Sequence, residues 1–488
     1  MTEPTSALPK EGRRLNIFVN QRKVGTLHEH NDLWTLEYLP DWANSDNGFD
    51  LSPALPRSQL LHQDGATTRP VQWYFDNLLP EEKLRELIAA DAQLRSGDDA
   101  FALLEYLGAE SAGSLTLLPV GQALPDDADL QRLACRDLSQ RIQALPRTAL
   151  TRQAPKRMSL AGAQHKMLAV LKGQDVYEPV GSTPSTHILK PDHPEQQTFP
   201  ASAYLEWLTM TLAAEAQLKV PAVSLLRVPQ PVYAIERFDR RVEAATLSPD
   251  TAVTPPVVER LHVIDACQLL NKSRIFKYGV GPEVLHDISQ ACTNQLTTPI
   301  TLFRWLVFNL LVGNDDCHLK NLSFLVSPGR IDPAPHYDML ATGVYHTQAI
   351  AEEAGHWPAV RLAIRLSEEV TRFDQVSHEA VLAAAVAMGV HRSVAQRNAR
   401  DVVMRTVGAF DAIYARHYPN EARLLEQLEA PTTPPSGPAP KRREPLASDV
   451  SEQQPGAQPS AEEAAQQLTL LRVLRHIVLP EMAHRILG

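Results

Sequence analysis

The feature that most restricts how this chain can fold is a change of character at Gly313. From Thr301 to Val312 the residues are apolar on nearly every face, centred on Leu302-Phe303-Arg304-Trp305-Leu306-Val307-Phe308-Asn309-Leu310, the pattern of a buried helix. Directly after it come Gly313-Asn314-Asp315-Asp316-Cys317-His318-Leu319-Lys320-Asn321, a polar stretch with two adjacent acids. Leu322-Ser323-Phe324-Leu325-Val326 then reads as a short buried strand. On local grounds the polar stretch is either a surface loop of a helical protein or a place where charged groups are presented for chemistry.

The chain has the size to enclose both flanks of that loop: 488 residues, 44% hydrophobic, are enough for one large two-lobed domain or two to three smaller ones. With 47 Lys and Arg against 57 Asp and Glu, a formal charge of −10, the chain as a whole is no polyanion binder. Phosphate or nucleic acid would have to meet local basic clusters or a partner. Cys135, Cys267, Cys292 and Cys317 lie far apart without a CxxC pair, which argues against a zinc site or a disulfide framework and suits a reducing cytoplasm. Met1 to Ser6 lack the basic start and apolar run of a signal peptide. No stretch approaches the roughly 18 apolar residues of a membrane span. The expectation is a soluble, cytoplasmic protein without a membrane partner.

In chain order, residues 15–27 read as a β-hairpin and 33–39 as the next strand. Residues 49–56 are extended, 75–90 helical with Pro80 in the first turn, and a further helix runs from Asp98 to near Gly108. Residues 131–145 read as a helix, and 146–157 as a loop carrying Arg147, Arg152, Lys156 and Arg157. Ser159-Leu160-Ala161-Gly162-Ala163-Gln164-His165-Lys166 precedes the strand 167–171. With one glycine and no GxxxxGK(S/T) pattern, it is either a hairpin turn or a loop whose amides cradle phosphates. Residues 186–191 form a strand bearing Lys190, 204–217 a helix bearing Glu206, and 223–228 and 232–238 two more strands. Residues 261–270, 376–388 and 393–417 read as helices. Residues 430–459, rich in proline and containing Lys441-Arg442-Arg443, read as a disordered linker. Ser460-Ala461-Glu462-Glu463 has capping-box spacing and opens a last helix that Pro480 bends or ends. Such a lone helix must dock on the large lobe or on a partner.

The order strand, strand with Lys, helix with Glu, two strands is that of a kinase small lobe, in which the Lys contacts phosphates and the Glu holds the Lys. Asp316 and Asn321 have the spacing of the kinase catalytic loop, where an Asp handles the hydroxyl proton and an Asn five residues later holds magnesium. His336-Tyr337-Asp338 supplies a candidate third oxygen ligand. Taken together, these stretches resemble the HipA family of serine/threonine protein kinases, the kinase half of a bacterial toxin–antitoxin pair, over about residues 15–428. Ser159 to Lys166 looks like the family's Ser-x-x-Gly-Ala-Gln-x-Lys loop, and Glu206 with Met210 like its Asn-Glu-x-x-x-Met helix, with Leu205 in place of the Asn. Glu236-Arg237-Phe238-Asp239-Arg240 is similar to its hinge, and Arg260-Leu261-His262 with Asp265-Ala266-Cys267-Gln268 to the helix that follows. Phe75-Asp76-Asn77-Leu78-Leu79-Pro80 and Gly108-Ala109-Glu110-Ser111-Ala112-Gly113-Ser114-Leu115 are similar to segments of its N-terminal part.

The resemblance implies an α+β, two-lobed protein-kinase-like fold. Residues 13–120 would be an N-terminal α+β subdomain, 121–240 the small lobe and 241–428 a mostly helical large lobe. The linker 429–459 and the C-terminal helix 460–488 lie beyond the resemblance. It implies a kinase using ATP and Mg2+, with Asp316 catalytic and Asn321 and Asp338 holding metal. Ser159, Ala161, Gly162, Ala163, Gln164, Lys166, Lys190, Glu206, Glu236, Arg237 and Phe238 would surround the nucleotide, the last three through backbone groups. His318 and Lys320 belong to the loop with less definite roles. Ser159 would be autophosphorylated, with Arg152, Lys156 and Arg157 holding the modified loop out of the site. Implied partners are a protein substrate, such as an aminoacyl-tRNA synthetase, and a separately encoded helix-turn-helix antitoxin through which alone DNA would be contacted. Asp315 departs from the pattern, standing where the family has Thr or a similar residue. A small-molecule phosphotransferase and a catalytically silent antitoxin-binding module are the alternatives. Retention of Asp316, Asn321 and Asp338 together argues against the silent module.

Overall fold

A computed structural model describes residues 12–417, except 153, 157–160, 163, 174 and 248–253, together with residues 459–488. Arg157, Ser159, Ala163 and the expected linker up to residue 458 lie outside the described residues.

The N-terminal strands β1 (Arg13–Val19), β2 (Arg22–His30) and β3 (Leu33–Tyr38) form the expected hairpin and its neighbour. Alternation along β1 sends Leu15, Ile17 and Val19 inward. With β4 (Leu61–Gln63) and β5 (Leu115–Pro119) they make an antiparallel sheet ordered β4-β3-β2-β1-β5. The single helix expected over 75–90 is instead two, Pro70–Asp76 and Glu82–Asp91. Pro80 disfavours helical backbone at the residue before it. It leaves the helix altogether and pairs with Gly162, so the small-residue turn is seated on this subdomain. Where one helix was expected over 131–145, the strand β6 (Ala128–Arg132) precedes a shorter helix, Cys135–Gln143.

The small lobe is a six-stranded sheet ordered β10-β11-β9-β7-β8-β6. Its remaining strands are β7 (Met167–Lys172), β8 (Asp175–Gly181), β9 (His187–Pro191), β10 (Val223–Arg227) and β11 (Pro231–Glu236). The helix Ser202–Glu215 lies against β9, β10 and β11, with Leu205, Leu208, Met210 and Leu212 fully buried. A hairpin of β12 (Arg240–Val242) and β13 (Val258–Arg260) leads to the large lobe.

There, β14 (His262–Asp265), β15 (Ser323–Ser327) and β16 (Arg330–Pro333) form a small antiparallel sheet. This corrects the helix expected over 261–270. Val263 and Ile264 are β-branched and buried in the strand, and helix is confined to Ala266–Leu269 behind the Asp265 capping box. The rest is mainly helical, with Pro282–Ala291, Thr298–Val312, His378–Ala387 and Arg392–His417.

The C-terminal segment docks on its own chain. The helix Ala461–Val473 passes through a π-helical turn, Leu474–Val478, into Leu479–Leu487. Pro480 comes just after the π-helical turn within this continuous run and does not end the helix. Leu470, Leu474, Val478, Met482 and Ile486 are fully buried, the last stretch packing on the helices Thr298–Val312, His378–Ala387 and Arg392–His417. At the start of the segment the Ser460 hydroxyl accepts the Glu463 amide at 3.1 Å, the first half of a capping box. The Glu463 carboxylate does not complete the box but reaches Arg227 on β10 at 2.7 Å, tying this segment to the small lobe as well. Among the described residues no helix is long and apolar enough to cross a membrane.

Candidate active site

The helix Thr298–Val312 ends at Gly313, whose φ of +70° is the left-handed conformation that glycine adopts without penalty. A Cβ here would stand 2.8 Å from the Trp357 ring and 3.1 Å from Val478. Asn314 donates to the Asn309 side chain at 2.7 Å and accepts the Asp316 amide at 3.0 Å, which sets the path of the loop. Asn321 is buried and donates from Nδ2 to the Asp316 carbonyl at 2.9 Å, leaving its side-chain oxygen as the remaining donor atom for a cation. The Asp316 side chain remains 55% exposed. Crowding by protein raises its pKa, the Tyr278 hydroxyl opposes this, and Asp338 and Asp315 add to it. Solvent over the open half screens the effect.

Asp315, unexplained by its neighbours in sequence, turns to another task. Its carboxylate accepts from His346 Nε2 at 2.8 Å and its amide donates to Thr342 Oγ1 at 2.9 Å, fastening the loop to the segment after Asp338.

Across the lobe junction, the buried Lys190 ammonium bonds Glu206 at 2.6 Å and also bonds Asp338. Burial disfavours charge on Lys190, but Asp338 and Glu206 more than reverse this and hold it protonated. Burial also raises Glu206, to about 7, with Lys190 opposing. For Asp338 the burial cost is outweighed by Lys190 and Lys166, and its pKa falls to about 2. Asp338 has a φ of +58°, a left-handed conformation that Asp tolerates better than most residues.

Among the other expected site residues, Gly162 sits on Pro80, and Lys166 bonds the Ala161 carbonyl. Burial and the like charge of Lys190 lower the Lys166 pKa to about 8. Gln164 is half-buried beside this turn, Glu236 is exposed at the end of β11, and the Phe238 ring lies 5.4 Å from that of Tyr337. His318 is buried, and its pKa is pushed down to about 4 by burial and by Lys277.

Three side chains are placed elsewhere. Lys320 points away from the lobe junction, into Asn77 at 2.7 and 2.9 Å and Asp265 at 2.9 Å, with Glu81 at 3.4 Å. Arg237 is buried against Asp239 at 2.6 Å and Glu110 at 3.1 Å, while its amide donates to the Thr186 carbonyl. Lys156, expected to receive a phosphorylated loop, bonds Glu110 and the Thr183 carbonyl, both at 3.1 Å. Glu110 stays ionised: burial opposes its charge, but Lys156, Arg240 and Arg237 outweigh it. Sequence reasoning found the segments holding Asn77 and Glu110 without their task, and missed Tyr278 and His346. Nothing local announces either contact.

Among the described residues no three His, Cys, Asp or Glu side chains converge as a metal cluster. A magnesium ion held by one carboxylate, one amide oxygen and nucleotide phosphates needs no such cluster, so Asn321 and Asp338 fit it as hard oxygen donors.

A sheet-built lobe packed on a helical one, with these charged groups at the junction, is the two-lobed architecture of protein kinases. Residues 158–412 match the family model described as the HipA-like C-terminal domain, and residues 15–118 that described as the HipA N-terminal domain. The chain belongs to the HipA family. The serine/threonine-protein kinase toxin HipA of Shewanella oneidensis is 29% identical over 332 residues, which cover 64% of this chain and 71% of that protein. The solved complex of Shewanella oneidensis HipA, HipB and operator DNA contains a chain of the same fold, with a TM-score of 0.68 and 24% identity over 96% of each chain.

Proposed function

We propose that this protein is an ATP- and Mg2+-dependent serine/threonine protein kinase. The observation that carries the reading is the Lys190 ammonium held between Glu206 and Asp338, with Asp316 and Asn321 on the adjoining loop. Lys190, kept charged by its two carboxylates, neutralises phosphate oxygens, and Lys166 adds a second cation. Asn321 and Asp338 hold magnesium. Bound ATP with its metal supplies the phosphoryl group and the charge neutralisation that a loose transition state requires. Asp316 orients the acceptor hydroxyl and takes its proton. Backbone groups of Glu236 to Phe238 line the adenine side.

The same reading extends to regulation. Ser159, the first residue of the small-residue stretch in sequence, is the proposed site of autophosphorylation, and the about −1.5 to −2 charges of a phosphate would repel ATP. The HipB-containing toxin–antitoxin complex of the relative supports an antitoxin as partner, and the relative's name supports a toxin role. A helix-turn-helix fold for that partner and a protein target such as an aminoacyl-tRNA synthetase are part of the same proposal. Transfer from radiolabelled ATP, with wild type compared with Asp316→Asn, tests the reading. Label should enter protein with wild type and fall by about a hundredfold or more in the variant, the scale of a lost general base. No transfer by wild type refutes the kinase assignment.

A further inference from the structure

Asp316 already has a hydroxyl partner. The phenol of Tyr278, a residue 46% exposed, donates to Asp316 Oδ1 at 2.5 Å. In the reaction proposed above, that carboxylate has to accept the proton of an incoming serine or threonine hydroxyl. A phenol O–H and an alcohol O–H present the same donor to the same oxygen, so the two compete. We propose that Tyr278 is a gate on Asp316, filling the acceptor-hydroxyl position at rest and withdrawing when an acceptor polypeptide arrives. This inference rests on the kinase reading.

The surroundings suit a side chain that is held but not locked. The backbone is pinned on both sides: the Lys277 carbonyl accepts the Leu319 amide at 3.1 Å, and the Gly279 amide donates to the Ala363 carbonyl at 3.1 Å. Lys277 is further anchored by Glu81 at 2.5 Å. The Tyr278 ring itself meets His318 edge-on, at 4.8 Å between centroids, and the Lys277 ammonium at 5.0 Å. Ile275 and Phe276 on the preceding turn are 70% and 55% exposed, apolar surface next to the gate that a polypeptide could contact. The Asp316 backbone is fixed without Tyr278, by Asn314 and Asn321. Burial and the Asp316 charge raise the phenol pKa, which keeps Tyr278 a donor rather than a second anion.

A tyrosine that merely positioned Asp316 would have the opposite effect when removed, and this separates the two roles. Steady-state ATP hydrolysis, with water as acceptor, is measured for the full chain as wild type, Tyr278→Phe and Tyr278→Leu, with thermal melting to confirm folding. The gate predicts a rise in kcat of about tenfold in both variants, the scale of one hydrogen bond to a charged group, with KM for ATP unchanged. Turnover by the variants alone supports it equally. Equal or slower turnover in both variants, with wild type active, overturns the gate and leaves the kinase reading standing. Absence of hydrolysis in all three proteins overturns the gate, while the label-transfer assay described above decides the kinase reading separately.

Discussion

Met482 tests whether the C-terminal segment is a working part of the large lobe. Its side chain is fully buried, in a stretch packed on the helices Thr298–Val312, His378–Ala387 and Arg392–His417. Met482→Ala removes buried methylene and thioether groups and leaves a cavity that a helix packed on three others cannot collapse, a loss of about 2–5 kcal/mol. Against a total stability of roughly 5–15 kcal/mol that is a large share. Ile477, 38% exposed on the preceding turn, is the internal control, and Ile477→Ala should change stability by no more than about 0.5 kcal/mol. Urea titration of the full chain gives both values. Hydrogen exchange locates the damage, with faster exchange expected at the end of the Thr298–Val312 helix, because Val478 packs beside Gly313. If Met482→Ala and Ile477→Ala have the same urea midpoint, the segment is not docked as described.

Other consequences can be measured in the same way. Lys320→Met leaves the Asp265 carboxylate buried without its cation and should cost about 3–5 kcal/mol in urea titration; a loss below about 1 kcal/mol would show that the contact is not formed. His262 and His336 are buried, and burial lowers both to about 4. Their stabilisation is complete above an unfolded pKa near 6.5 and is lost as pH falls toward 4, at up to about 1.4 kcal/mol per pH unit for each. Denaturation midpoints measured from about pH 7 to about pH 4.5 should fall accordingly, and His336→Phe should flatten the slope; an unchanged slope would contradict the assignment.

The parts of the site legible in sequence are those whose signal is local. Asp316 and Asn321 share one loop, and Lys190 and Glu206 sit on a strand and a helix recognisable from their own residues. Of the misread stretches, 261–270 is short and buried, and periodicity does not separate helix from strand in such runs. Residues 131–145 likewise began in a strand, and 75–90 is helical but in two pieces. Pro80 lies in the break between the two helices, and Val263-Ile264 made a strand of half of another expected helix. Lys320 was misplaced for a different reason. Its partner Asn77 lies 243 residues away, and no spacing within the loop reveals a contact of that range.

That long-range contact explains why the N-terminal subdomain matters to the loop. Lys320 and Lys277 both anchor on it, through Asn77 and Glu81, and Pro80 of the same segment seats Gly162 of the small-residue turn. A few residues thus touch both the loop bearing Asp316 and the turn expected to cradle phosphate. Asp315 belongs to the same pattern from the opposite side. A free acid beside Asp316 would compete for any cation held by Asn321 and Asp338. Bonded to His346 and Thr342, its charge is committed to the segment that follows Asp338. The extra acid is therefore a fastening between the loop and the proposed metal-binding segment, and its place in the sequence follows from that partner.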